Sequence, residues 1–221
     1  MNKSKLGINN AFKEMIVEGG REMIAKGLTV GTWGNLSLRD QETGLIYVKP
    51  SAMKYEEITA DDIVVFNDKF EIVDGFRKPT IEYQFHISIM NARKDIHSVI
   101  HTHPVYSAAL GTLGWDLPGI SEDFVQLVGA EITNCTYALP GSGDLALNIV
   151  EALGSERNAV MIPNHGTVCC GKDWSMAVKV CFVVEKAAQI YLLAKSVGTP
   201  QLISPEDIAA MRDFAKNHYG Q

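Results

Sequence analysis

Residues 35–48 read NLSLRDQETGLIYV and decide the fold class. Two short segments with apolar residues at alternating or adjacent positions flank a polar turn, which is the pattern of a β-hairpin. A second pair of apolar segments, within residues 63–73, predicts another hairpin around Asn67 and Asp68. Helical patterns precede, separate and follow these strands. We therefore predict an α/β (α+β) fold with a mainly antiparallel sheet, not a doubly wound parallel one.

The composition is that of a globular protein. Of 221 residues, 46% are hydrophobic and 21% are charged, close to the average for folded domains. No repeat, low-complexity tract or linker interrupts the pattern, so we predict a single domain over residues 1–221. The formal net charge of −6 argues against nucleic acid as the main partner.

Three observations predict a cytoplasmic location away from membranes. The most apolar stretch, residues 180–194, contains Glu185 and Lys186, whereas a membrane span needs about 20 nearly uncharged residues. The first ten residues lack the apolar segment of a signal peptide. The four cysteines form no CxxC pair, which is typical of reduced thiols in the cytoplasm.

A pair of histidines gives the clearest chemical signal, in VIHTHP at 99–104. Alternate residues of a strand point to the same face, so His101 and His103 can present two imidazoles to one ion. Zinc accepts imidazole nitrogen, and catalytic zinc often keeps three protein ligands and an open position. His165, in a tight turn between two apolar segments, is the best candidate for the third ligand. A pair of core-edge histidines is the alternative interpretation.

Other residues of the same region suggest a polar site. Glu82 lies near the start of a helix predicted over residues 80–93 with Thr80 as its cap, where the helix dipole stabilises a carboxylate. The turns GTWGN at 31–35 and KPSA at 49–52 have the amides and small hydroxyls that bind phosphate. A simple helix-start charge and ordinary loops are the alternatives. His86, inside the same helix, is expected to be a packing histidine.

Six motifs in their order resemble the class II aldolase/adducin family, most closely its sugar-phosphate aldolases of the L-fuculose-1-phosphate type. The cupins, another family with an HxH motif, are disfavoured because no acidic residue follows within 104–108. The resemblance covers nearly the whole chain, from the first predicted helix through the last. The motifs are GTWGNLSLR at 31–39, KPSAMKYEEIT at 49–59, TIEYQFH at 80–86, VIHTHPVYSAAL at 99–110, YALPGSGDLA at 137–146 and IPNHGTV at 162–168.

The resemblance implies a three-layer αβα sandwich and a homotetramer with sites at the subunit interfaces. It implies reversible cleavage of a ketose 1-phosphate to dihydroxyacetone phosphate and an aldehyde. Glu82 would be the catalytic acid/base, and Tyr219 would donate a proton to the aldehyde oxygen. The remaining site residues implied by the resemblance are His101, His103 and His165 for zinc (or Mn²⁺ or Co²⁺), and Thr32, Asn35, Ser51 and Thr80 for the substrate phosphate.

Several positions depart from the fuculose-type pattern. Ala52 stands where the phosphate loop usually ends in Gly, and Ile81 where a second small hydroxyl is expected. Pro140 replaces an aromatic residue, and Glu122 and Asp123 lie where a mid-chain tyrosine is expected. These changes concern the phosphate loop and the aldehyde pocket, so they bear on the choice of substrate.

Four other functions share the scaffold. The L-ribulose-5-phosphate 4-epimerase branch has similar TWGN and KPS motifs but carries Asp where this chain has Glu82. Decarboxylases of sugar-acid phosphates and a dehydratase of methylthioribulose phosphate share the three histidines. A non-catalytic module of the adducin type lacks the metal-binding set, which this chain has.

Overall fold

A central antiparallel sheet organises the computed structural model, which describes residues 7–217. Its seven strands are β1 (Asn35–Arg39), β2 (Ile46–Val48), β3 (Val64–Phe66), β4 (Ile72–Asp74), β5 (Ser98–Thr102), β8 (Ala159–Ile162) and β9 (Gly166–Gly171), and β6 (Leu117–Pro118) and β7 (Glu131–Ile132) form a separate pair. The seven strands lie in the order β4-β3-β2-β1-β5-β9-β8, and every pairing is antiparallel. The two hairpins expected from the sequence supply four of these strands.

Helices cover both faces of the sheet. They are α1 (Asn10–Ala25), α2 (Tyr83–Ala92), α3 (Val105–Leu113), α4 (Glu122–Leu127), α5 (Gly143–Leu153), α6 (Trp174–Val197) and α7 (Pro205–Asn217). Because successive strand residues face opposite sides, Val99 of β5 packs in the core formed with α2 and α5, and Ile100 packs in the core formed with α1 and α6. This confirms the α+β class, the antiparallel sheet and the arrangement of helices on its two faces.

The site depends on polar residues that interrupt the apolar pattern of one face. Leu36 and Leu38 of β1 pack toward α1 and α6. Asn35 and Ser37, the alternate residues of the same strand, are buried on the α2 side. His101 of β5 is the register partner of Asn35. One face of the central strands therefore combines a hydrophobic core with a buried polar cluster.

Three local expectations differ from the structure. The helix predicted over 80–93 begins at Tyr83, with Glu82 in the N-cap position. Residues 132–137 have the apolar pattern that predicts a strand, but the structure forms only the two-residue β7 there. Helix α4 was not expected from the sequence. Within residues 7–217, no helix combines the length and apolar character needed to cross a bilayer.

Candidate active site

Three histidines meet at the end of the central strands. His101 lies in β5, His103 follows the end of this strand, and His165 lies in the turn that enters β9. The Nε2 atom of His101 is 2.9 Å from that of His103 and 3.2 Å from that of His165. One ring nitrogen from each residue lies within 4.8 Å of the other two. The structure thus brings together all three histidines predicted from the sequence.

Two glycines make this close approach possible. A Cβ atom on Gly166 would lie 2.3 Å from the carbonyl oxygen of Thr102 and 3.1 Å from the His101 ring. Gly34 has a φ of +68°, and its Cβ would lie 2.7 Å from the carbonyl oxygen of His101. Any side chain at either position would displace the backbone that carries the histidines. The two glycines therefore fix the spacing of the site.

Two imidazoles of this cluster, those of His101 and His103, are held in the neutral form. Burial, together with the neighbouring imidazoles, lowers the pKa of His101 to about 3 and the pKa of His103 to about 4. The Nδ1 atom of His101 donates to the carbonyl oxygen of Thr167 at 3.1 Å, which turns the lone pair of Nε2 toward the other two histidines. Neutral imidazoles with a fixed outer hydrogen bond are the form that ligates metal ions.

Glu82 brings a carboxylate to the same point. Its Oε2 atom lies 3.5 Å from Nε2 of His101, and its Oε1 atom lies 3.5 Å from Nε2 of His165. The residue is buried, and no described residue gives Oε1 a hydrogen bond. Three imidazole nitrogens and a carboxylate oxygen without a hydrogen-bond partner form a donor set that fits a divalent cation.

The N-cap position of Glu82 has a specific cause. Thr80 was predicted to cap the helix, but its hydroxyl accepts only one long hydrogen bond, of 3.5 Å, from the N–H of Glu82. Its own N–H donates to the carbonyl oxygen of Lys49 at 3.0 Å. The segment around Pro79 pairs with the one around Pro50, which delays the start of the helix. Glu82 makes no side-chain capping bond to its own helix, so its carboxylate is available to the histidine cluster.

A cavity of about 350 Å³ opens beside the cluster. It is lined by both Glu82 and His165, and by all four residues predicted to bind the substrate phosphate. The backbone bond between Ser51 and Lys78, with the one between Thr80 and Lys49, holds the two predicted phosphate segments side by side. The phosphate candidates in its wall are Thr32, Asn35, Ser51 and Thr80.

Lys49 is a charged residue of this cavity that the sequence reasoning did not single out. It is 2% exposed, and its Nζ atom lies 3.3 Å from the carbonyl oxygen of Thr32 and 3.2 Å from that of Pro50. No carboxylate of residues 7–217 forms an ion pair with it. Burial lowers its pKa to about 8, so the ammonium is still mainly charged at neutral pH. Its position directly before Pro50 and Ser51 in a suspected anion-binding turn was the available signal.

The positions that depart from the family pattern divide into two groups. Ala52, Ile81 and Pro140 line the cavity, and Ala52 has the positive φ of +54° that glycine favours. Glu122 and Asp123 instead begin α4, where Asp123 pairs with Lys186, and neither lines the cavity. Tyr219 lies outside the described residues, and its role stays a prediction.

A larger cavity, of about 850 Å³, lies between α7 and the β6–β7 pair. Its lining is mostly apolar and contains no histidine. Binding sites combine apolar walls with a few convergent polar groups of perturbed pKa. The histidine-lined cavity meets this description, so we assign the chemistry there.

Comparison with known proteins adds independent findings. The family model described as "Class II Aldolase and Adducin N-terminal domain" matches residues 14–192. The chain is 37% identical over 211 residues to a 5-deoxy-D-ribulose 1-phosphate aldolase of Bacillus thuringiensis serovar kurstaki, covering 95% of this chain and 97% of the relative.

Solved structures agree with this match. An L-fuculose 1-phosphate aldolase superposes with a TM-score of 0.91 at 32% identity, covering 95% of this chain and 98% of the other. YgbL of Escherichia coli, described as a putative aldolase/epimerase/decarboxylase, has a TM-score of 0.82 at 22% identity, covering 92% and 98%. The second likeness concerns the fold alone.

Proposed function

The chain belongs to the class II aldolase and adducin family, and from this premise we propose that it is a metal-dependent aldolase acting on a ketose 1-phosphate. The products of cleavage are dihydroxyacetone phosphate and a short aldehyde. The observation that carries the proposal is the buried Glu82 carboxylate, 3.5 Å from the Nε2 atoms of two histidines of the cluster, His101 and His165. A base beside a cation site is the arrangement needed to move a proton next to a ketone.

The proposed ligands of the cation are His101, His103 and His165. Zinc is the metal we favour for three imidazoles, with Mn²⁺ or Co²⁺ as substitutes. A divalent cation bound there supplies Lewis-acid chemistry to oxygen atoms of the substrate. Glu82 Oε1 faces the cluster without another partner, so it is the oxygen that we assign to proton transfer.

The remaining residues of the cavity hold the phosphate. The Thr32, Ser51 and Thr80 hydroxyls are proposed to donate hydrogen bonds to its oxygens, and Lys49 adds the positive charge. Asn35 takes part with the one amide N–H that is left, because its other N–H donates to Glu82 at 2.7 Å. Binding the phosphate orients the ketone end of the substrate toward Glu82.

Proton balance then follows for condensation. Glu82 removes a proton from the hydroxymethyl carbon of dihydroxyacetone phosphate, and the electron pair left on that carbon attacks the aldehyde carbon. The new alkoxide takes a proton, for which Tyr219 is the proposed donor. In cleavage the sugar hydroxyl gives its proton back to Tyr219 and becomes the aldehyde oxygen. The carbon–carbon bond breaks, its electron pair stays with the ketone fragment, and protonated Glu82 gives its proton to that carbon.

The relatives narrow the substrate class. Both 5-deoxy-D-ribulose 1-phosphate and L-fuculose 1-phosphate, named for two relatives, are 1-phosphorylated ketoses that end in a methyl group. The apolar Ile81 and Pro140 in the cavity wall suit such an end. We therefore propose acetaldehyde or lactaldehyde as the aldehyde. By its likeness to the fuculose type, we propose a homotetramer.

Deuterium exchange tests the proposal without the right aldehyde. Zinc-loaded protein is incubated with dihydroxyacetone phosphate in deuterated water, and the hydroxymethyl signal is followed by NMR. We expect stereospecific exchange that a chelator abolishes, followed by product formation with one of the two aldehydes. An absence of exchange, with bound metal confirmed, would reject the aldolase and favour the epimerase, decarboxylase or dehydratase.

A further inference from the structure

A fourth histidine lies beside the site without belonging to the ligand cluster. His86 of α2 is 0% exposed. Its Nδ1 atom lies 2.7 Å from the Ser37 hydroxyl, and its Nε2 atom forms a short hydrogen bond with Oδ1 of Asn35. The Nδ2 atom of Asn35 donates to Oε2 of Glu82 at 2.7 Å. A buried chain of hydrogen bonds therefore runs from Ser37 through His86 and Asn35 to Glu82.

The direction of every bond in this chain follows from its acidic end. As the proposed base, Glu82 presents a carboxylate that only accepts hydrogen bonds, so the side of the Asn35 amide that faces it is the NH₂ group, whose Nδ2 donates to Oε2. The amide oxygen then faces His86 and needs a donor, which makes Nε2 of His86 carry the proton. Nδ1 is left as an acceptor, and the hydroxyl of Ser37 donates to it. A single tautomer of His86 satisfies all four residues.

The fold explains why these residues meet. Asn35 and Ser37 are alternate residues of β1, so their side chains share one face of the sheet. Glu82 and His86 are four residues apart at the start of α2, where such a spacing places side chains on one side of a helix. The helix lies over that face, and each of its two residues meets its partner on the strand.

We propose that His86 is a positioning residue: as the Nε2–H tautomer locked by Ser37, it orients the Asn35 amide and, through it, the Glu82 carboxylate. This rests on the proposed function of Glu82 as the proton-transfer group. With Oε2 held by Asn35, Oε1 is the oxygen that remains free beside the histidine cluster. Burial and the nearby His101 lower the pKa of His86 well below its usual value, which agrees with a neutral ring.

Two substitutions at one position separate positioning from packing. In His86→Gln the amide nitrogen takes the place of Nε2–H and still donates to Asn35. In His86→Leu a side chain of similar bulk leaves the Asn35 oxygen without a donor. We expect His86→Leu to slow the exchange of dihydroxyacetone phosphate protons by about 10- to 100-fold, with bound metal unchanged, and His86→Gln to recover most of that rate.

Equal rates in the two folded variants, whether normal or impaired, would overturn the proposal. Ser37→Ala is a second test in case the substitutions at position 86 impair folding. It keeps the histidine and removes only the hydrogen bond from the Ser37 hydroxyl to Nδ1 of His86. We expect it to slow exchange less than His86→Leu does. A normal rate in Ser37→Ala would show that the hydrogen bond from Ser37 has no role in positioning His86 and would overturn that part of the proposal.

A spectroscopic readout does not depend on activity. A long-range ¹H–¹⁵N correlation spectrum of the wild-type protein, with His86→Gln used to assign the signal, distinguishes the two neutral tautomers and the imidazolium. We expect the Nε2–H tautomer at neutral pH. The Nδ1–H tautomer or a charged ring would overturn the proposed chain of hydrogen bonds. If the wild type shows no proton exchange, the proposed function fails, but the tautomer of His86 still decides whether this chain of hydrogen bonds exists.

Discussion

The Nε2 atoms of His101 and His103 lie 2.9 Å apart in the folded chain. Both rings are neutral near pH 7, because the pKa values are lowered to about 3 and about 4. One hydrogen bond can satisfy only part of this pair, and His165 brings a third nitrogen to the same place. A shared cation satisfies all three lone pairs at once, which makes metal content the most direct test of the cluster.

Removing one ligand is expected to abolish metal binding. His101→Ala leaves two imidazoles, and we expect its metal content, measured by mass spectrometry after dialysis, to fall to a small fraction of the wild-type value together with activity. His97→Ala is the matched control, because His97 lies just before the same strand and hydrogen-bonds to Arg39 instead. Full metal retention in His101→Ala would remove this residue from the ligand set.

Removing the base is expected to stop proton transfer and leave the metal in place. Glu82→Gln keeps the shape of the side chain and an oxygen that accepts from Asn35, but it cannot take a proton. We expect the exchange rate of dihydroxyacetone phosphate to fall by about 10²- to 10⁴-fold with a normal metal content. Glu14→Gln, on the exposed face of α1, should behave as the wild type. A near-normal rate in Glu82→Gln would contradict the assigned role.

The sequence predicted the parts of this site that depend on short-range patterns. Alternation along β1 and β5 predicted the strands. The spacing of two residues between His101 and His103 predicted that their side chains converge. The position of Glu82 as a helix cap could not be predicted, because the pairing of the segments around Pro50 and Pro79 connects residues about 30 apart in sequence and overrides the local signal of Thr80. The partners of His86 are hidden for the same reason, since Asn35 and Ser37 are 51 and 49 residues away.

Replacing Ala52 by glycine is expected to stabilise the protein. Its φ of +54° is a left-handed conformation that costs a residue with a Cβ about 1–2 kcal/mol. Glycine avoids this cost but gives the unfolded chain more freedom, worth about 0.5–1 kcal/mol. We therefore expect Ala52→Gly to raise the free energy of unfolding by about 0.5–1 kcal/mol in urea titrations. Ala210→Gly, on the exposed part of α7, should instead lower it by about 1 kcal/mol. Equal losses in both variants would contradict the strain argument.

Lys49 is expected to favour phosphate binding at the expense of stability. Its folded pKa of about 8 lies below the unfolded value of about 10.4. Between these two pH values the unfolded chain holds more protons, so stability rises with pH there; below pH 8 the full cost of burying the charge is present. We expect the free energy of unfolding of Lys49→Met at pH 7 to be roughly 1–3 kcal/mol higher than that of the wild type. The lower value allows for the two carbonyl groups that lose their hydrogen-bond donor.

The same variant should bind phosphate more weakly, because the ammonium is the charged group of that wall of the cavity. Urea titrations at pH 7 and pH 9.5 measure the stability difference, which should shrink at the higher pH as the wild-type lysine loses its proton. Calorimetric titration with inorganic phosphate measures binding. Lys54→Met, an exposed lysine of the same segment, should change neither quantity appreciably. A stability gain that is equal at both pH values would show that packing, and not the buried charge, separates Lys49→Met from the wild type.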